Sequence, residues 1–551
     1  MTNTYLTGNP LGSTSPKDLY DNASNFDEAM NSTSPSFYDR FSKRRETWAG
    51  MEDAFQQFLI SSSFVFVGDY DSVGELTFTA RNQYLTRLGL AYRVIDATVL
   101  PYTTTGVWAT DSSNFVAFNS ETTGSIRYVM TINDVKTVPK TGIPRFVQTA
   151  CWAAMGDGGS GLYRIDESDT TTAGDDFLTV QAADGGRWKL LHNGLASLRQ
   201  AGAGVDTSVC TARVNAAFAA VDAFGYPELY APAGVINIDG AGVTCTGKPI
   251  CLRGAGKGLT QFRYDGTAWA MSILPSEIQQ NVTLHDFAIL PNNASVASGR
   301  PLRVVYPTLA SWSGKTVDIN NLSMNSSLSG PVLPHWAAGM YFSNCWNGVV
   351  RNVWFTGKPN DWLTTASFIE LGENCTDFVI DSVHGNFCID WLSISGYCEG
   401  VSVTNSTAVK VYRGVQQVTA SFLNLRFRGN HVNAVATCFN MNNSAQNMIT
   451  NNLLYLTDAG SVSFGNFVDC NSGVYSDNIC LNLGNTTADG LFFDGGAVQN
   501  KMVGNNFEGC VTGILLGSGT TNNRAALNTR FVAGVQGPGV DDLGTGNTVT
   551  T

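Results

Sequence analysis

Between about Asn281 and Phe531 one short pattern recurs: apolar, any, apolar, any, Asn or Asp, apolar. Its polar anchors are Asp286, Asn321, Asn352, Ser382, Asn405, Asn424, Asn451, Asp477, Asn505 and Asn528, at intervals of 35, 31, 30, 23, 19, 27, 26, 28 and 23 residues. Self-similarity at this period marks a solenoid. The units are too short for helix pairs and are rich in β-branched residues, Gly and Asn, so each unit is a turn of strands. The fold class is therefore mainly β: a right-handed, single-stranded parallel β-helix, preceded by smaller α+β and β domains.

A second ladder fixes the register. Cys345, Cys375, Cys398, Cys470 and Cys510 each fall a few residues before an anchored strand, and Ser444 takes the same place in a rung between them. A position that accepts Cys or Ser at every turn predicts an inward stack of small side chains. Stacked asparagine amides can likewise hydrogen-bond from rung to rung, at about 4.8 Å. Both ladders are read as structural.

Charge narrows the function. With a net charge of −12 and only 14% charged residues, the chain holds no basic run beyond Lys43-Arg44-Arg45. Phosphate neutralisation needs clustered Lys and Arg, so nucleic-acid binding is not expected. No signal peptide opens the sequence, and no 18-residue apolar stretch predicts membrane insertion. Of the twelve cysteines, about half fall on the repeat and none form a Cys-x-x-Cys or Cys/His cluster, which points to buried free thiols rather than disulfides or a metal. No cofactor is implied, and no regular Asp-x-Asp-x-Asp loop supports calcium.

Ahead of the repeat, Ser15-Pro16-Lys17-Asp18 predicts a helix start, with Leu19, Ala23, Phe26 and Ala29 on its apolar side. The stripe Phe41, Trp48, Met51, Phe55, Phe58 and Leu59 predicts a second helix over Ser36 to Leu59. Short strands are expected from Phe64 to about Val116. A small β unit follows, with strands at Val135–Lys140 and Leu162–Ile165, a hairpin at Phe146–Ala153 and the turn Gly156 to Ser160. A helix carrying Val214, Ala217, Phe218 and Val221 on one face is expected to cap the open end of the solenoid. The glycines from Gly254 to Gly258 read as tight corners.

Three of these stretches carry a family likeness. Gly8-Asn9-Pro10-Leu11-Gly12 through Asp18 to Ala23, with Trp48 to Glu52, resembles the virion-anchoring module of many phage tail fibres and tailspikes. Tyr163 to Asp169 with Ala183 to Lys189 is similar to the small β unit ahead of the helix in such proteins. Gly202 to Asp206, the helix to Val221, Pro232 to Gly234 and Gly254 to Gly258 resemble the usual start of a pectin-lyase-like tailspike β-helix. The resemblance implies a homotrimeric spike in the virion tail, made in the host cytoplasm. It would meet a bacterial surface polysaccharide, capsule or O-antigen, which many relatives cleave as endoglycosidases or lyases. Two departures stand out. The aspartate-rich segment is reduced to Asp206-Thr-Ser-Val-Cys210, and the chain ends at Thr551, with little room for a trimerisation domain after Asn528.

The implied organisation is residues 1–117 for attachment to tail or baseplate proteins and 118–198 as a connecting β domain. The capped start of the β-helix takes 199–260, the glycan-facing β-helix 261–535 and a tail 536–551. Hydrolysis of a polysaccharide needs two carboxyl groups; lyase chemistry needs a base and a cation beside a uronate. On the anchor register, one outward column reads His285, Asn320, Arg351, Asp381, Thr404 and another Ala288, Ser323, Trp354, His384, Thr407, Arg426. The loops nearby add Asp361, Trp362, Glu370, Glu373, Asp377, Asp390, Trp391 and Glu399. Asp381, Glu399, Asp377 and His384 are thus the candidate catalytic groups, with Arg351, Trp354, Trp362, Trp391 and Arg426 for substrate. Asp494, Glu508 and Arg530 form a secondary group. A two-acid site favours a hydrolase over a lyase. A non-cleaving receptor fibre or a structural tail adaptor fits the same motifs.

Overall fold

The computed structural model describes residues 5–54, 65–87, 90–117, 126–140, 145–221, 228–292, 299–308, 314, 316–326, 334–418, 422–458, 460–484, 488–532 and 535–550. The chain divides into two compact units, one of Met1–Ser125 with Thr141–Arg145 and one of Ile126–Lys140 with Phe146–Thr551.

In the first unit the helix Pro16–Asn31 forms as expected, with proline in its first turn. Its packing is the reverse of the pattern. Leu19 and Phe26 are exposed, while Asp18 and Asp21 are buried. The polar amino-terminal segment wraps onto these two carboxylates. Asp18 accepts hydrogen bonds from Thr7, from Asn9 Nδ2 at 2.8 Å and from Ser13 Oγ at 2.5 Å, and pairs with Arg40 at 3.6 Å. Asp21 accepts from the backbone N–H groups of Tyr5 and Leu6, each at 3.2 Å. The Ser13, Thr7 and Asn9 donors, with Arg40, hold the Asp18 carboxyl down at about 2.

The helix expected over Ser36 to Leu59 is a hairpin followed by a shorter helix. Ser36–Tyr38 pairs antiparallel with Arg44–Glu46, and the turn between them is tied by Asp39, which accepts from the N–H of Phe41 and of Lys43, both at 2.9 Å. An Asp that bonds the backbone two and four residues on offers an alternative to the helical ladder. Helix resumes at Trp48; Phe55, Phe58 and Leu59 lie outside the described residues. A four-stranded sheet of Val65–Asp69, Gln83–Arg87, Leu90–Val94 and Phe115–Ala117 follows.

The second unit opens with a five-stranded sheet in which Ile126–Val129, Phe146–Thr149, Leu162–Ile165, Arg187–Leu190 and Thr179–Gln181 are neighbours in that order. Val135 does not begin a strand: a Thr131/Asp134 capping box starts the one-turn helix Ile132–Val135 there. The helix Thr211–Ala220 buries Val214, Ala217 and Phe218 and packs on the first strands of the solenoid, as a cap should.

The rest is a parallel β-solenoid of about 11 turns. One face is a 14-stranded sheet, here the first face. A 23-stranded sheet bends once in every rung to make the other two. The second face stacks Trp354–Thr356 on His384–Asn386, and the third stacks Met340–Ser343, Ser367–Leu371 and Asp390–Ile394. Thr407–Gln417 and His431–Asn442 run through the bend unbroken. Residues 540–550 are no loose tail, since Val540–Asp542 and Thr548–Thr550 add a strand to each sheet.

Two asparagine positions per corner do different work. Asp286, Asn321, Asn352, Ser382, Asn405, Asn451 and Asp477 adopt φ between 50° and 65°, the left-handed conformation that Asn and Asp tolerate best after Gly. One residue later lies the inward stack Asn430, Asn452, Asn478, Asn505 and Asn528, every one buried or partly so. The Asn478 amide accepts from the Asn452 backbone at 3.1 Å and side chain at 2.9 Å, while its own Nδ2 donates to Ile449 O and to Asn505 Oδ1, both at 2.9 Å. Asn505 therefore belongs to the inner stack, and Gly504 takes the left-handed corner (φ 69°). Likewise Gly429 (φ 68°) is the true corner of its rung, and Asn424 turns the preceding corner. Cys375, Cys398, Phe422 and Ser444 align in one column, and Cys470 lies within 3.1 Å of Ser444. Cys510 follows a second-face strand instead and leaves that ladder.

Replacing Asn478 by Ala orphans buried donors and acceptors in two neighbouring rungs, each worth about 1–3 kcal/mol. Asn478→Ala is expected to lower unfolding free energy by roughly 3 kcal/mol or more in denaturant titration, while Asn451→Gly, which keeps the left-handed turn, stays within about 1 kcal/mol.

Candidate functional site

The first outward column stands as the pattern placed it: His285, Asn320, Arg351, Asp381 and Thr404 are direct neighbours on the first face. Asp381 is fully engaged there. It accepts from Thr404 Oγ1 at 2.6 Å, Asn405 Nδ2 at 2.9 Å and Ser382 Oγ at 3.2 Å. Burial works to raise its pKa, but these bonds and the Arg351 charge outweigh it, so the carboxyl lies below its usual range. Arg351 itself is ion-paired to Asp318 at 3.3 Å.

The second column runs Ala288, Ser323, Trp354, His384, Thr407 and then His431. Arg426 is not in it: it sits on the first face between Ser402 and Met448, because Asn424 anchors a different corner. Trp354 is half exposed, its ring 5.0 Å from that of His384, with the Lys257 ammonium 5.0 Å from the indole centre. Burial and Lys257 push the His384 pKa down, so this imidazole is a neutral contact group near pH 7.

The remaining expected residues scatter. Asp377 and Glu399 are exposed at the corners that precede the first-face strands Val379–Asp381 and Ser402–Thr404, a whole strand's length from Asp381 and Thr404. Trp362 is partly buried in the loop between Trp354–Thr356 and Ser367–Leu371, where Asp361 pairs with Lys358 at 2.9 Å. Trp391 corrects an expectation outright. It is 1% exposed, packed in the solenoid core against Phe368, and no sugar can reach it.

Glu370 and Asp390, expected in loops around Asp381, stand instead on strands of the third face. Two outward columns run along it, Ser367, Asp390, Arg413, Thr437 and Arg303, Tyr341, Glu370, Ser393, Gln416, Asn440. Arg413 grips Asp390 through Nε at 2.6 Å and a terminal nitrogen at 3.3 Å. Arg300 donates to Glu370 at 2.7 Å, and Ser395 Oγ donates to its other oxygen at 3.2 Å. Aromatic rings line the same face: the Arg300 guanidinium lies 4.7 Å from the centre of Trp269 and 5.6 Å from that of Tyr341. Asp390 is nearly buried, and burial raises its pKa despite the pull of Arg413, with the Glu370 charge pushing the same way.

Glu370 and Asp390 were visible in the sequence only as loop acids. Trp269, Arg300, Arg303, Tyr341 and Arg413 were missed, although Arg300-Pro-Leu-Arg303 opens a strand and its two arginines fall on the two columns. Among the described residues no group of three or more His, Cys, Asp or Glu is placed to hold a metal.

Residues 128–193 match the family model of the phage tail protein small four-stranded beta-sheet domain. No curated protein sequence matches the chain. Among solved structures, the enzymatically active domain of bacteriophage CBA120 tailspike protein 2 is similar, at 12% identity and TM-score 0.45 over 68% of this chain and 52% of that one. The Azotobacter vinelandii mannuronan C-5 epimerase A-module aligns at 14% identity and TM-score 0.47 over 64% and 98%. An Acinetobacter baumannii phage AM24 tailspike aligns at 13% and 0.39 over 76% and 65%. The chain spans about half the length of the first of these.

Core and surface tryptophans separate cleanly in a stability experiment. Trp391→Ala should cost about 3–5 kcal/mol of unfolding free energy, and Trp354→Ala less than about 1 kcal/mol, measured by chemical denaturation at neutral pH.

Proposed function

We propose that this chain is a phage tailspike whose third β-helix face binds and hydrolyses a bacterial surface polysaccharide, capsule or O-antigen, during adsorption. The phage tail domain at residues 128–193 supports a place in the virion tail. Attachment to tail proteins is assigned to residues 1–117, and assembly to a homotrimer. The observation that carries the hydrolase reading is the pair Glu370 and Asp390: two carboxyl groups in unlike environments on one outer face, Glu370 bonded to the Arg300 that lies over the indole of Trp269. Glycoside hydrolysis uses such a pair, and a carboxyl whose pKa is raised by burial takes the acid role. Asp390, raised by burial, donates a proton to the glycosidic oxygen. Glu370, ion-paired to Arg300, acts as the carboxylate that activates water or attacks the anomeric carbon. Trp269 and Tyr341 offer flat apolar faces to sugar rings.

A second reading places the site on the first and second faces, where Asp381, His384 and Arg351 lie near Trp354, whose indole is half exposed. Glu399, Asp377, Trp362 and Arg426 would then act only as outlying contacts. A third reading, a receptor fibre without cleavage, draws on the fact that both third-face acids are already paired with arginines.

Purified protein is to be incubated with host capsule or lipopolysaccharide, and the chain length, new reducing ends and ultraviolet absorbance of unsaturated ends followed. Shortening without unsaturation is expected. Asp390→Asn and Glu370→Gln should each slow it by about 10²–10⁴-fold, with Asp381→Asn and His384→Gln near wild type. Full activity in the first two variants, or loss in the latter two, moves the site to the Trp354 faces. Binding without shortening leaves the receptor fibre.

The proton donor also sets a pH dependence. Asp390 must be protonated to act, so cleavage declines as pH rises through its elevated pKa. Arg413 pulls that pKa down, so Arg413→Gln is expected to move the decline to higher pH in a rate-against-pH series.

A further inference from the structure

Three arginines reach the third face, and they are not equivalent. Arg300 is bonded to Glu370 and Arg413 to Asp390, so those four charges cancel in pairs. Arg303 shares a strand with Arg300 but has no carboxylate: among the described residues its bonded partner is the Ser272 hydroxyl, which its Nε reaches at 3.0 Å. The Trp269 ring lies 5.4 Å from its guanidinium carbon. That bond and that ring hold the guanidinium over its strand, in the column that continues through Tyr341 to Glu370. The two terminal nitrogens are left to a ligand.

We propose that Arg303 is the anion receptor of this face and commits it to an acidic polysaccharide, one carrying a carboxylate on the sugar seated beside Trp269. This rests on the glycan-binding reading above and narrows it. A planar guanidinium fork matches a carboxylate in two parallel hydrogen bonds, which a neutral hydroxyl cannot reproduce. The chain carries a net charge of −12, which repels a polyanion wherever no local cation offsets it, and salt reduces that repulsion over about 10 Å. A lone oriented arginine among cancelled pairs is the feature by which an otherwise acidic protein would select an acidic chain. The Trp269 indole raises the contribution of both, because the ring that lies under the guanidinium also supports the sugar next to it.

The test uses the full-length protein and two forms of one probe: capsular polysaccharide from strains to which the protein adsorbs, native and with its carboxyl groups reduced to primary alcohols. Binding is read by biolayer interferometry at fixed ionic strength. The native form is expected to bind about tenfold or more tighter than the reduced form. Arg303→Gln should bind both forms with the affinity wild type shows for the reduced one, and Arg303→Lys should recover part of the preference. Thermal unfolding of both variants within a few degrees of wild type keeps the comparison valid. Ser272→Ala, which frees the guanidinium without removing it, gives a second, milder loss of the same preference. Equal binding of native and reduced polysaccharide overturns the proposal while the glycan-binding reading stands, as does a preference that survives in Arg303→Gln. Tight binding of a glycan that has no acidic group has the same force. Binding of neither form removes the glycan-binding reading itself, and this inference with it.

Discussion

The structure depends on buried asparagine amides that bond from one rung to the next. A parallel solenoid turns a sharp corner several times per rung, and each corner leaves backbone N–H groups facing inward with no ladder partner. A buried donor left unpaired costs about 1–3 kcal/mol. Asn430, Asn452, Asn478, Asn505 and Asn528 satisfy these donors one rung below and are satisfied in turn by carbonyls and amides around them. A second stack, Asn500, Asn523 and Asn547, does the same at another corner. Because every amide bonds its neighbours at one spacing, a rung cannot slip by one residue without breaking two sets of buried hydrogen bonds.

That fixed register is what makes the outer faces useful. Side chains at equivalent positions fall into columns, so residues twenty or more positions apart in sequence become direct neighbours. On the third face this brings Asp390 beside Arg413 and Arg303 into line with Tyr341 and Glu370. The two columns stand three residues apart along each strand, with Trp391 and Leu392 both buried between them. The charged groups thus stand on a rigid platform, with Asp390 held by Arg413 from the next strand and Glu370 by Arg300 from two strands away.

The repeat was legible because its corners demand particular residues. Asn and Asp at φ near 55° recur with the rung, and the columns through Arg351, Asp381, Trp354 and His384 followed correctly from them. The register failed where glycine took the corner. From Asn405 to Asn424 and on to Asn451 the intervals are 19 and 27 residues, whereas the true corner at Gly429 gives 24 and 22. Glycine adopts that conformation at no cost and carries no side chain to mark it, so Arg426 was carried onto the wrong face. Trp391 was misread for a different reason: the sequence placed it in a loop, whereas Asp390–Ile394 is a third-face strand on which Trp391 and Leu392 are both buried. The amino-terminal helix shows a different limit: Asp18 and Asp21 are buried because a polar segment folds onto them, and an apolar stripe at helical spacing says nothing about that.

The central claim is that the third face, with Glu370, Asp390, Trp269 and Arg303, is where a polysaccharide lies. The most direct measurement is a crystal structure of the Asp390→Asn protein soaked with oligosaccharides of host capsule or O-antigen. The account predicts sugar density along the third face, with a ring against Trp269 and a glycosidic oxygen within hydrogen-bond reach of residue 390. Ordered sugar over Trp354 and His384 with the third face empty would contradict it.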